Sequence, residues 1–328
     1  MKILFVGSGE IGSRHVQAAS QIKGKNQIII IDPSEKSKNI CKERINNTKN
    51  KNSNNSYHWF NDIDKIGVNS DLCIISTQAR ERVEMVKKIH QTLNIKNYLI
   101  EKVVSNSFNK ILDLNNYSKI NKLKIWVNCK TRAYEIHKHI KSIMIKNNSI
   151  DAGINFKYSG GNGGLFTSAI HVIDLFTFYD NSNSLKLQYS KFEDDTFITK
   201  RKTYDLNGTL IGVSNTSSIF LIDFKNISRR PDMYYISTIK GNFIVDHVNN
   251  IFFSSTLKNS WKWEKSLIKE DLRISNMSKK FIIDIVKNKK CDLPTLQESI
   301  ISHEFLFNSV ANTFKKKMNQ KNMDLIIS

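Results

Sequence analysis

What the sequence lacks already removes several classes of protein. Its four cysteines, Cys41, Cys73, Cys129 and Cys291, lie far apart with no C-x-x-C pair. Such spacing supports neither a zinc site nor a disulfide framework, no metal is expected, and four free thiols fit a reducing cytoplasm. No apolar run approaches the roughly 18 residues needed to cross a bilayer, so no membrane partner is expected. The apolar start, Met1 to Val6 before Gly7, is too short for the h-region of a signal peptide, and export is not expected. No internal repeat is present.

Acidic residues are also in deficit, with 30 Asp plus Glu against 50 Lys plus Arg and a formal net charge of +20. An excess of that size first suggests nucleic acid or an anionic membrane. The lysines, however, are scattered among asparagines and isoleucines, and Lys315-Lys316-Lys317 is the only tight triplet. Lys, Asn and Ile share A/T-rich codons, so genomic bias accounts for the excess without a polyanion partner. What remains of the charge is a mild preference for an anionic small molecule.

What is present describes a globular chain. Hydrophobic residues make up 40% and aromatics 10% of 328 residues, which excludes a wholly disordered polymer. At roughly 100–200 residues per domain, that length suggests two domains. The first part alternates strand and helix signals: strands at Lys2–Val6, Gln27–Ile31, Asp71–Ser76, Tyr98–Val103 and Lys124–Asn128, and helices at Ile11–Ile22, Ser34–Ile45, Arg80–Leu93 and Phe108–Tyr117. Strands separated by helices of this length imply a parallel, doubly wound sheet, a Rossmann-type α/β domain over residues 1–127. The polar run Asn46 to Ser56 reads as an exposed loop.

From Asp151 the texture becomes β-rich, with hairpin signals at Asn207-Gly208 and Lys240-Gly241-Asn242. Helical segments are expected at Leu165–Asp180, Ser275–Lys287 and Leu296–Phe314. Residues 128–328 therefore read as an α+β domain with an open-faced, mostly antiparallel sheet that binds substrate and mediates oligomerisation.

Gly7-Ser8-Gly9-Glu10-Ile11-Gly12 is a G-x-G-x-x-G run between the first strand and the first helix. Gly7 permits the tight turn, Gly9 admits a pyrophosphate close to backbone N–H groups, and Gly12 allows close helix–strand packing. The helix N-terminus then faces the phosphates. Asp32 ends the second strand about 20 residues further on, where a carboxylate accepts the ribose hydroxyls and repels a 2′-phosphate. NAD is therefore favoured, while Lys36 and Lys38 nearby keep NADP open.

At Glu101-Lys102-Val103 the chain begins to resemble the Gfo/Idh/MocA oxidoreductases, whose fifth strand ends in an E-K-P motif. A second match, Gly160 to Asp174 (G-G-N-G-G-L-F-T-S-A-I-H-V-I-D), resembles the family's glycine-rich segment leading into a helix bearing H-x-x-D, here His171 and Asp174. A third lies near the end, at Leu293 to Ser299 with His303. Together they span nearly the whole chain in order.

The resemblance implies NAD(P)-dependent hydride transfer at a hydroxyl or carbonyl of a sugar, cyclitol or nucleotide-sugar, possible service in surface-polysaccharide synthesis, and assembly as a homodimer or homotetramer through the second domain's sheet. It implies that Lys102 hydrogen-bonds the reacting hydroxyl and the nicotinamide ribose, that His171 is the general acid/base, and that Asp174 orients His171 or the substrate. Ser76 and Thr77 stand where the family has a T-P step over the nicotinamide; Glu101 has a structural part. Asn128 and Arg132 are candidate pocket groups. His137 and His139, on a basic helical stretch, read as surface residues. The chain departs from the family at Val103, in place of Pro, and at Thr167, in place of an Asp that contacts a sugar hydroxyl. The latter keeps open a catalytically idle NAD-binding regulator of the same fold. NAD-assisted glycoside cleavage is a third reading.

Overall fold

The computed structural model describes the chain except residues 68, 151, 162, 200–203, 226–229 and 318–328. Asp151, where the texture changes, and Asn162 of the glycine-rich segment thus lie outside the described residues. The chain forms two compact units, Met1–Asn128 with Asp271–Glu298, and Cys129–Glu270 with Ser299–Ser328. The expected division at 127/128 therefore misses the return of Asp271–Glu298 to the first unit.

The first unit is built on β1 (Lys2–Val6), α1 (Glu10–Ala19), β2 (Asn26–Ile31), α2 (Glu35–Asn46), β3 (Asn55–Phe60), β4 (Leu72–Ile75), α3 (Ala79–Leu93), β5 (Asn97–Ile100), α4 (Phe108–Ile120) and β6 (Lys124–Val127). The six strands are parallel in the order β3-β2-β1-β4-β5-β6. Central strands such as Ile3–Val6 and Leu72–Ile75 are buried throughout, because helices cover both faces of a parallel sheet. In α3, Ala79, Arg82, Val83, Val86, Ile89 and Leu93 share the inward face at helical spacing, and Asn94 closes the helix in the left-handed conformation. The polar run Asn46–Ser56 is loop from Asn47 to Asn54, and β3, a strand not among those expected, begins at its last two residues. Its edge position exposes alternate residues, so Asn, Ser and His stand in it without an apolar run.

The second unit carries α5 (Glu135–Lys146), β7 (Asn155–Gly160), α6 (Ile170–Asp180), β8 (Leu185–Ile198), β9 (Tyr204–Ser214), β10 (Ile219–Phe224), β11 (Met233–Thr238), β12 (Gly241–Asp246), β13 (Ile251–Thr256) and β14 (Glu264–Leu267). These strands form one sheet, β14-β13-β12-β11-β7-β10-β9-β8, antiparallel except where β7 lies parallel to β10. Burial alternates along β10 and β12, as expected when one face packs on helices and the other stays open. Lys240 does sit in a tight β11–β12 connection. Asn207-Gly208 does not turn; it lies inside β9. A Cβ on Gly208 would stand 2.4 Å from the Lys191 carbonyl oxygen, so this glycine serves close strand approach rather than a hairpin.

The returning segment holds α7 (Ile274–Ile283), which packs along α1, and begins α8 (Leu296–Lys317). Val127 donates its N–H to the Pro294 carbonyl at 2.9 Å, fixing this segment to the sheet.

Candidate active site

In the first unit the glycine loop leaves β1 with Gly7 at φ 87°, and a Cβ there would press on the Ser76–Thr77 backbone at 3.1–3.2 Å. A Cβ on Gly12 would lie 1.9 Å from the Gly7 carbonyl oxygen, so loop and helix are in direct backbone contact. Gly9 is different: a Cβ there would meet nothing within 4 Å. Absence of a side chain at Gly9 thus serves space beyond the protein's own packing, at the N-terminus of α1 where free N–H groups and the dipole favour an anion. Ser13 donates its hydroxyl back to the Gly9 carbonyl at 2.6 Å. Glu10 is exposed and held by Arg14 and Arg44; Arg44 also donates to the Glu10 carbonyl at 2.6 Å, bracing the loop from α2. Ile11 is half-buried on the first turn of α1.

Asp32 closes β2 and is 7% exposed. Its Oδ2 accepts the Ser8 N–H at 2.6 Å and the Ser8 hydroxyl at 3.0 Å, while Oδ1 accepts the Ser34 N–H at 2.9 Å. The carboxylate is therefore fixed beside the glycine loop. Of the two lysines that keep NADP open, Lys38 is buried and committed to Glu35 and Asn61, and Lys36 is exposed. At the end of β4, Ser76 Oγ and Thr77 Oγ1 are buried without a hydrogen-bond partner among the described residues. Orphaned hydroxyls on the strand end packed against the glycine loop, a fixed carboxylate at the neighbouring strand end and an open Gly9 fit a dinucleotide whose pyrophosphate lies over the loop.

β5 ends at Ile100, so Glu101 and Lys102 stand just beyond the strand, at the carboxyl edge of the sheet, and the Lys102–Val103 peptide is cis. Lys102 is half-buried. Glu101 is buried and its Oε1 accepts from Asn128 at 2.5 Å and pairs with His15 Nε2 at 2.9 Å. Burial raises the Glu101 carboxyl, but the His15 and Asn128 hydrogen bonds and the charges of His15 and Arg82 hold it down at about 2. Asn128, expected in a pocket, is 2% exposed and turned to Glu101.

In the second unit the helix bearing His171 opens with a single π turn, Leu165–Ala169, before α6. Such turns break the regular ladder and often mark functional segments. Its first turn is held from β9: fully buried Asp205 accepts the N–H groups of Phe166 at 3.0 Å and Thr167 at 2.9 Å and bonds the Thr167 hydroxyl. It acts as a cap from a distant strand, and Gly164 is required because a Cβ there would lie 2.2 Å from that carboxyl. Burial nevertheless raises the Asp205 carboxyl above its ordinary value. So where the resemblance implies a lost aspartate at Thr167, the structure supplies a different carboxylate, directed into the helix terminus.

His171 is half-buried at the start of α6, and Asp174 is fully buried one turn on. Asp174 takes a bidentate pair from Arg132, Nε to Oδ2 and Nη2 to Oδ1, both at 2.7 Å. Arg132 sits on the 3-10 turn Lys130–Ala133 with its guanidinium over the Phe178 ring at 5.5 Å. The structure thus brings Ser8 to Asp32, Glu101 to Asn128, and Arg132 to Asp174, each within one unit.

His137 also departs from its expected place, as do the pocket candidates Asn128 and Arg132, which are buried against Glu101 and Asp174. His137, expected at the surface, is fully buried on α5, with Nδ1 2.6 Å from the Tyr179 hydroxyl and Nε2 3.0 Å from His247 Nε2; His139 is exposed. Burial and the charge of His247 push His137 well below the usual imidazole range, and burial with Lys130 pushes His247 down to about 4. Its partners lie 42 and 110 residues away, so no local pattern announces the pair. Among the described residues no group of three or more His, Cys, Asp or Glu could hold a metal ion, and no helix is long and apolar enough to cross a membrane.

No family model matches the chain, and no curated protein matches it in sequence. Solved structures do. A dehydrogenase, MviM, from Clostridium difficile is 16% identical with TM-score 0.70, covering 95% of this chain and 99% of that one. The WlbA dehydrogenase from Bordetella pertussis, in complex with NADH and UDP-GlcNAcA, is 12% identical with TM-score 0.70, covering 95% of each. The transcriptional regulator Gal80p from Kluyveromyces lactis is 18% identical with TM-score 0.69, covering 95% and 90%. At these identities the likeness is one of fold.

Proposed function

We propose that this chain, which has the two-domain Gfo/Idh/MocA fold, is an NAD-dependent oxidoreductase acting on a sugar, with a nucleotide-sugar as the favoured substrate class. The observation that carries the reading is the cradle at Gly9, open to 4 Å and flanked by the fixed Asp32 carboxylate and the orphaned hydroxyls of Ser76 and Thr77. NAD bound there would supply the hydride acceptor or donor. Gly7 to Gly12 would hold its pyrophosphate, Asp32 the adenosine ribose, and Ser76, Thr77 and Lys102 the nicotinamide end.

The chain's own residues would then manage the proton. Lys102 would hydrogen-bond the reacting oxygen, favouring the form in which negative charge develops on it. His171 would accept the hydroxyl proton in oxidation and return it in reduction, a task suited to an imidazole near neutral pH. Asp174, engaged by Arg132, would act by fixing α6 beneath His171 rather than by touching substrate, and Thr167, whose hydroxyl is bonded to Asp205 and the Gly164 N–H, would hold the turn before His171. The basic composition agrees with an anionic diphosphate substrate, and four free thiols with a cytoplasmic setting.

We further propose that the open face of the second sheet joins copies of the chain in a homodimer or homotetramer. That face holds a cavity of 380 Å³ bordered by Ile219, Leu221, Tyr235, Ile244 and Trp263. Its exposed Ile219, Tyr235 and Trp263 are costly to leave wet. Sedimentation at the mass of a single 37.9 kDa chain would refute this.

One observation favours a second reading, a catalytically idle NAD-binding regulator: Thr167 where the family carries a carboxylate, on a fold that Gal80p shares. Calorimetric titration with NAD, followed by incubation with NAD and a panel of sugars and nucleotide-sugars including UDP-GlcNAcA, separates the two. Reduced cofactor accumulating with one member of the panel supports the oxidoreductase. NAD binding without turnover across the panel supports the regulator.

A further inference from the structure

Lys102 is a half-buried residue on a connection rather than a strand, and its neighbours on both sides are gripped from different helices. On the near side, the Glu101 N–H donates to the Ile75 carbonyl at 3.0 Å, and the Glu101 carboxylate is held by His15 and Asn128. On the far side, the Val103 carbonyl accepts from Arg82 Nη1, and the same guanidinium donates through Nε to the Thr77 carbonyl at 2.9 Å. Arg82 and His15 are 1% and 0% exposed, on α3 and α1. His15 uses both ring nitrogens, since Nδ1 lies 2.7 Å from the Ser278 hydroxyl of α7. A carboxylate accepting from both an amide and an imidazole is acceptor only, so His15 carries a proton on Nε2 that points to Glu101. Both side chains are buried on helices, beneath the residues that follow the strand ends.

We infer that His15 and Arg82 are positioning residues for Lys102: His15, through Glu101, fixes the backbone before the lysine, and Arg82, through the Val103 carbonyl, fixes it after. The inference rests on the proposed role of Lys102. Burying so large a cation and an imidazole, both fully engaged, on the inward faces of two helices has a cost that core packing alone would avoid with apolar residues. Arg82 links the Thr77 carbonyl to the Val103 carbonyl, so the same side chain ties the nicotinamide end of the proposed cofactor site to the lysine. His15 links the lysine to the helix that follows the glycine loop. Cofactor cradle and lysine are thereby held in one frame.

Three variants test this: His15→Leu, His15→Gln, whose amide can replace the Nε2 donor, and Glu101→Gln, which keeps side-chain volume if His15→Leu fails to fold. The first readout is independent of substrate. Lysines are reductively methylated with carbon-13, the Lys102 signal is assigned by its loss in Lys102→Arg, and its titration is followed by NMR with NAD present. His15→Leu and Glu101→Gln should shift the Lys102 signal, and His15→Gln should leave it close to wild type.

The second readout is turnover of UDP-GlcNAcA or whichever panel member is active. kcat should fall about 100-fold in His15→Leu, the scale of a small misplacement of a reacting group, while KM for NAD changes by less than about threefold. His15→Gln should recover most of it. A Lys102 signal unchanged in both His15→Leu and Glu101→Gln would overturn the inference, as would equal losses in His15→Leu and His15→Gln. Absence of any turnover by the wild-type protein would sink the proposed function, while the NMR readout would still decide the positioning.

Discussion

The two units keep their polar groups in order by different means. In the first, the nucleotide features come from one short stretch, Gly7 to Gly12, with Asp32 reached 24 residues after Ser8. In the second, the groups that fix the helix of His171 come from afar: Arg132 meets Asp174 across 42 residues, and Asp205 caps Phe166 across 39. A turn whose backbone demands glycine writes itself into consecutive residues, whereas a carboxylate that caps a helix from another strand leaves no local trace. The comparison also separates two kinds of buried acid. Glu101 has donors enough to stay ionised, while for Asp205 burial outweighs them.

The largest expected effect tests whether the first unit's strand-edge lysine does chemistry. Lys102→Ala should lower turnover by about 10³-fold or more while leaving NAD affinity nearly unchanged, measured by steady-state rates and calorimetry. Normal turnover in that variant would remove Lys102 from the mechanism.

Next comes the polar centre of the second unit. Arg132→Ala takes the guanidinium away from a fully buried carboxylate, and urea unfolding should show a loss of about 3–5 kcal/mol. Arg132→Lys should recover little, because an ammonium cannot reproduce the two parallel bonds. A loss below about 1 kcal/mol in Arg132→Ala would mean the pair resembles an exposed one.

Acid should then separate the units. His247 is lowered to about 4 from 6.5, so its contribution is present above pH 6.5 and lost as pH falls toward 4. Glu101 is lowered to about 2 from 4.5, so its contribution, at most about 3 kcal/mol, is lost only between pH 4.5 and 2. Asp205, raised, has the opposite sign and weakens the fold as pH rises through its unfolded value. Denaturation midpoints should therefore begin to fall below pH 6.5 in the wild type. The slope between pH 6.5 and 4 should flatten in His247→Phe, and that below pH 4.5 in Glu101→Gln. An unchanged slope in both variants would break the comparison.

The smallest effect concerns space. Gly9→Ala adds a methyl that meets nothing in the protein, so thermal stability should hold while NAD affinity falls by about tenfold, roughly 1.4 kcal/mol. Gly12→Ala, with its Cβ 1.9 Å from a backbone oxygen, should lose about 1–3 kcal/mol of stability as well. Equal NAD affinity in Gly9→Ala and wild type would mean that the pyrophosphate does not lie over this loop.

Legibility in the sequence followed the separation between partners. The parallel sheet, the glycine loop and Asp32 were legible because strand runs, helical spacing and a glycine turn are local, whereas the polar edge strand β3 was not. Asn207-Gly208 misled because that dipeptide signals a turn, whereas Gly208 serves close contact with the Lys191 carbonyl of β8. His137 misled because a lysine-rich helix looks solvated until His247 and Tyr179 are seen against it. The same limit holds inside the first unit: His15 lies 86 residues from Glu101 and 263 from Ser278, and nothing around it distinguishes it from a surface histidine. The return of Asp271–Glu298 to the first unit was hidden for the same reason.

The account stands or falls on hydride transfer at the site that begins with the glycine loop. Wild-type protein and Lys102→Ala should be incubated with NAD and nucleotide-sugars deuterated at their carbinol carbons, and the nicotinamide analysed by NMR and mass. The account predicts deuterium on the reduced nicotinamide from one of these substrates with the wild type and almost none with Lys102→Ala. NAD bound by both proteins with deuterium transferred by neither, or by both equally, would contradict it.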